Sequence, residues 1–93
     1  MRQIHLDLGL ITSEDQLWDE IVQRSGHPFW HGRNLNALYD GWVRGGLDEH
    51  GPPYEFLFAN IADTGIALRD LVEQIMAIAK ESVAANGGSI RQA

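Results

Sequence analysis

The chain has 93 residues, 44% of them hydrophobic and 22% charged, the balance of a globular protein with room for one core. Its net charge of −6 sets it against nucleic acid, whose binders carry basic patches, and suits a basic partner. No run approaches the roughly 18 consecutive apolar residues of a membrane span, and no cysteine is present to build a disulfide framework or supply a thiolate. The opening "MRQIHLDLGL" is not expected to act as a signal peptide, because Asp7 interrupts its short apolar run. The expected compartment is the cytoplasm.

In chain order, residues 2–8 alternate, with Ile4, Leu6 and Leu8 on one side and His5 and Asp7 on the other. That period of two predicts a half-buried strand. "ITSEDQLWDEIVQRSG" predicts a helix that Ser13 and Gln16 open as a capping box, with Glu14 and Asp15 in the first turn. Leu17, Trp18, Ile21 and Val22 form its apolar stripe, and Gly26 ends it. "RGGLDEHGPP" predicts a loop. "YEFLFAN" predicts the strongest strand, central in its sheet or covered on both faces, with Tyr54, Phe56 and Phe58 sharing one side. Residues 64–84 predict the longest helix, capped by Thr64, with Leu68, Leu71, Val72, Ile75, Met76 and Ala79 facing inward. "AANGG" ends it, and "SIRQA" is the weakest strand candidate. Helices between the strands imply parallel pairing. With no linker or repeat, residues 1–93 are expected to form a single α/β domain.

Between the first helix and the second strand lies "PFWHGRNLNALYDGW", with two of the three Trp, one of the two Tyr, a His, and the polar Asn34, Asn36 and Asp40. A short helix is expected from Asn34, a good N-cap. Leu35, Leu38 and Trp42 fall on its inward face, and at about 100° per residue Asn36, Tyr39, Asp40 and Val43 form the neighbouring stripe. This is the composition of a site. Trp42 belongs with the leucines of the core. Trp30, between Pro28 and Gly32, fits a packed or an exposed ring equally well.

Catalysis finds little to work with. His27 and His31 are four apart, but Pro28 lies between them and keeps them off one helical face. No phosphate-binding glycine loop or nucleophile elbow is present. A small metal-dependent enzyme using His31 and Asp40 is the alternative that remains, provided the loop folds onto the second helix. Binding finds more, since Trp30, Arg33, Tyr39 and Trp42 are residue types enriched at protein interfaces.

"GRNLNALYDGW" resembles the signature of the barstar family, intracellular inhibitors of the guanyl-specific ribonuclease barnase. The family pattern is an aromatic loop, Gly, a variable residue, Asn-Leu, Asp or similar, Ala-Leu, an aromatic and Asp. It runs here from Trp30 and His31 through Gly32, Arg33, Asn34, Leu35, Asn36, Ala37, Leu38 and Tyr39 to Asp40. The resemblance implies a barstar-like α/β fold, with a small three-stranded parallel sheet packed by three to four helices chiefly on one side. It also implies a monomer that plugs a small basic ribonuclease one-to-one with residues 29–44, acting as an immunity protein against that toxin. Asp40 would stand where a substrate phosphate lies. The expected partner-binding residues are Trp30, His31, Asn34, Asn36, Tyr39, Asp40, Val43 and Arg44. No enzyme activity, cofactor, metal, membrane or direct nucleic-acid contact is expected.

The sequence departs from the family at four places. Asn36 and Arg33 stand where acidic residues are usual. Ile78 and Ser82 occupy the positions of acidic contacts on the last helix, and the segment before that helix is shorter. A barstar-like module for a different toxin or partner protein therefore stays open beside the ribonuclease reading.

Overall fold

A computed structural model of the chain describes residues 2–25, 34–44 and 53–93. The alternation at the N-terminus does form a strand, β1 (Arg2–Asp7), with Ile4 and Leu6 buried and Gln3 and His5 exposed. The aromatic run forms β2 (Tyr54–Ala59), and the C-terminal segment forms β3 (Gly88–Gln92). All pair in parallel in the order β1-β2-β3, with Ile4 opposite Phe56 and Phe56 opposite Ile90. The expected three-stranded parallel α/β sheet is thus present.

β2 is the central strand, and among the described residues the helices cover only one of its faces. Tyr54, Phe56 and Phe58 are buried, while Glu55, Leu57 and Ala59 are half-buried. The reason lies in the neighbours across the sheet. Leu57 stands between His5 and Arg91 in register, and Gln3 reaches across to Glu55 with a 3.1 Å hydrogen bond. Polar flanking side chains thus partly shield Leu57, with no second layer of helices among the described residues.

The other face packs against α1 (Glu14–Ser25), α2 (Leu35–Trp42) and α3 (Ile66–Asn86) in one apolar cluster. Trp42 lies at its centre, wholly buried, with its ring centroid 4.9 Å from that of Phe56 and 6.4 Å from that of Tyr54. Such tilted pairs bring edge against face, which the aromatic quadrupole favours.

The ends of the elements correct two expectations and bear out a third. Ser13 does cap α1, its hydroxyl accepting from the Gln16 N–H at 3.1 Å, but the Gln16 side chain accepts from the Thr12 N–H rather than that of Ser13. The box is therefore shifted by one residue. Thr64 does not cap α3. A 3₁₀ turn (Ile61–Asp63) precedes it, the Thr64 N–H is taken by the Ile61 carbonyl, and Gly65 is the N-cap without a side-chain bond. The Thr64 hydroxyl is buried with no hydrogen-bond partner among the described residues. The "SIRQA" segment does pair. Only Ile90 of β3 is half-buried, so β3 is held by its backbone ladder, which the Ala93 N–H continues to the Phe58 carbonyl at 3.0 Å. The two glycines before it make this possible. Gly87 and Gly88 sit at φ +85° and +100°, and a Cβ on Gly88 would run into the Tyr54 carbonyl oxygen.

Gly26, the expected stop of α1, and most of the 44–53 loop lie outside the described residues. Among the described residues no helix is long and apolar enough to cross a membrane.

Candidate functional site

α2 is only 8 residues long, so its position depends on what anchors it. Asn34 begins it in extended backbone, its side-chain oxygen accepting from the Ala37 N–H at 2.8 Å. Leu38 and Trp42 fix its inner face, and Ala37 and Gly41 are buried beside them. The buried face is therefore wider than the spacing of leucines predicts. The Trp42 indole N–H donates to the Ser25 hydroxyl at 3.0 Å, joining α2 to the last residue of α1. At the same C-terminal end, the Asn86 side-chain amide donates to the Val43 carbonyl at 2.8 Å, joining α2 to the last residue of α3. The C-terminal end and the inner face of α2 are thus held by other elements and its start is capped by Asn34, which suits a presenting helix.

The outer face carries the predicted stripe. Asn36 is exposed, and Tyr39, Asp40 and Val43 are half-buried. Arg44, one residue beyond the C-cap Val43, folds back over this stripe. Its Nη1 lies 3.5 Å from the Asp40 Oδ1, and its guanidinium carbon lies 5.6 Å from the Tyr39 ring centroid. The pair has the favourable i, i+4 order, acid before base. With side-chain exposures of 43% for Asp40 and 73% for Arg44, solvent screens it, and it contributes about 0.3–0.5 kcal/mol. Asp40 is in consequence an accessible carboxylate, lightly held.

The structure thus brings together Tyr39, Asp40 and Arg44, with Val43 and Asn36 on the same surface and Asn34 at the helix start. Trp30 and His31 lie outside the described residues, as does any pairing of His31 with Asp40. Ser82 is wholly buried and Ile78 packs against the core, so position 82 presents nothing to a partner. Among the described residues no three His, Cys, Asp or Glu side chains gather as a metal site.

Ser25 and Asn86 escaped the sequence reading. Ser25 reads as the end of one helix and Asn86 as the end of another. Each acts through a bond to α2 that no local pattern announces.

The family model described as Barstar (barnase inhibitor) matches residues 1–91 of the chain. The chain belongs to the barstar family. The match extends over nearly the whole length, well beyond the central motif. No curated protein matches the chain. The barstar family is one of ribonuclease inhibitors and not of enzymes. Within the family's motif, the Asp that ends it falls here on Asp40, on the outer face of α2.

Proposed function

We propose that the protein inhibits a small basic ribonuclease of the barnase type, one-to-one, by seating the 29–44 loop and helix in its active-site groove. The observation that supports this is Asp40, an accessible carboxylate on a short helix that is capped at its start and tied to α1 and α3 at its C-terminal end. A ribonuclease site is cationic because its substrate is a polyanion. A carboxylate fixed at the right place accepts charge-assisted hydrogen bonds from the arginines kept there for phosphate. Tyr39 contributes apolar area beside it, and Asn36 and Val43 complete the contact surface, with Arg44 at its edge. The net charge of −6 adds long-range attraction to a basic enzyme and raises the association rate.

The protein performs no chemical step in this reading. It acts by occupying the site, as an immunity protein in the cytoplasm of a cell that makes the toxin. The loss of a family carboxylate at Asn36 favours a second reading, a barstar-family module whose target is a different protein.

The experiment is a titration of the protein into barnase cleaving RNA. Inhibition that ends at one equivalent supports the first reading. Full ribonuclease activity in molar excess of the protein contradicts it in favour of the second.

A further inference from the structure

The site contains a cation of its own. Arg44 touches both side chains on which docking is expected to depend, the Asp40 carboxylate and the Tyr39 ring. Its backbone is not free to drift away. The Arg44 N–H donates to the Tyr39 carbonyl at 3.3 Å, and Asn86 holds the neighbouring Val43 carbonyl. The side chain, by contrast, is 73% exposed and free to swing into water.

We propose that Arg44 is an internal counter-ion that sets what a partner must bring. In the free protein its guanidinium occupies the side of Asp40 that a partner's cation takes in the complex, so docking requires its displacement. This rests on the inhibitor reading and adds a condition to it. A partner offering a single lysine exchanges one cation for another and gains little. A partner offering an arginine fork, or two cations converging on Asp40, makes bonds that Arg44 at 3.5 Å does not make. The displaced guanidinium also leaves the Tyr39 ring, uncovering the aromatic face for the partner. Arg44 thus selects for clustered cations, the arrangement of a phosphate-binding groove, and against scattered positive charge.

The test combines the free protein with a binding cycle. In the free protein, the Arg44 Nε–Hε resonance is followed by NMR in the parent and in Asp40→Asn. The proposal expects it to shift when the carboxylate is removed; an unmoved resonance overturns it. Barnase is then the probe for the parent, Arg44→Gln, Asp40→Asn and the double variant, with affinities measured by stopped-flow kinetics. Since an exposed pair of this kind is weak, Arg44→Gln is expected to tighten binding about two- to threefold more in the Asp40 background than in the Asp40→Asn background. Equal gains in the two backgrounds would mean that Arg44 acts through net charge alone, and weaker binding on Arg44→Gln would mean that it contacts the partner favourably. Either result overturns the proposal while leaving the inhibitor reading intact. Failure of the parent itself to inhibit barnase overturns that reading, and the docking role of Arg44 with it.

Discussion

The indole N–H of Trp42 donates to the hydroxyl of Ser25 at 3.0 Å, and both residues are wholly buried. This bond connects α1 to the helix that carries Asp40. Ser25→Ala leaves the indole N–H with no acceptor in a dry site. An orphaned buried donor costs about 1–3 kcal/mol. A denaturant melt of Ser25→Ala should show a loss in that range. A loss below about 0.5 kcal/mol would mean that the bond contributes nothing net.

Leu38 faces the core from α2, beside Tyr39 and Asp40 on the outside. The two sides of one helical turn should therefore separate in experiment. Leu38→Ala opens a cavity and should cost about 2–5 kcal/mol of stability. Tyr39→Ala should lose less stability than Leu38→Ala and more binding, since its ring is half-buried in the free protein and supplies area to a partner. Paired melts and binding titrations check this. A Leu38→Ala protein that folds as stably as the parent, or a Tyr39→Ala protein that binds as tightly, contradicts the assignment of faces.

These two cases show what could be read without coordinates. Local periodicity carried β1, β2 and the two faces of α2, because burial follows a period of two or of about 3.6. The i, i+4 spacing of Asp40 and Arg44 is legible in the sequence, but the placement of Arg44 over the Tyr39 ring is not. What could not be read was non-local. Ser25 finds Trp42 in the core and Asn86 finds Val43 at the surface, with no spacing rule to announce either. β3 has one packed side chain, Ile90, and so carried almost no hydrophobic signal. Thr64 looked like a cap, but α3 starts one residue later, with Gly65 as its N-cap, and the Thr64 hydroxyl bonds none of the described residues.

Gly88 starts β3 at φ +100°, against the Tyr54 carbonyl. Gly88→Ala adds a Cβ where there is no space and strains a backbone conformation that costs about 1–3 kcal/mol for other residues. The expected outcome is a protein destabilised by at least that much, with faster amide exchange at Arg91 and Ala93, the amides of β3 that face β2. Unchanged exchange at those amides would contradict the close approach of the two strands.

Asn34 caps the end of α2 that is expected to enter a partner's groove. Asn34→Ala removes the bond to the Ala37 N–H and should cost about 0.5–2 kcal/mol, the usual loss at an N-cap. Asn34→Gly should cost only a few tenths of that unit, since glycine is tolerated at N-caps. Melts of the two variants check the order. Equal losses would indicate that Asn34 acts through something other than its cap.

The central claim is that Asp40 serves binding and not folding. Its carboxylate is accessible in the free protein and, among the described residues, paired with the exposed Arg44, so Asp40→Ala should change stability by about 0.5 kcal/mol or less. In a complex the same change leaves buried cations unpaired, at a cost of about 2–5 kcal/mol or more, a range that the barnase–barstar pair itself helped define. The direct measurement is a calorimetric titration of the parent and Asp40→Ala into barnase, with a denaturant melt of each. The account predicts an affinity lower by about 30-fold or more with nearly coincident melts. Equal affinities for barnase would contradict it.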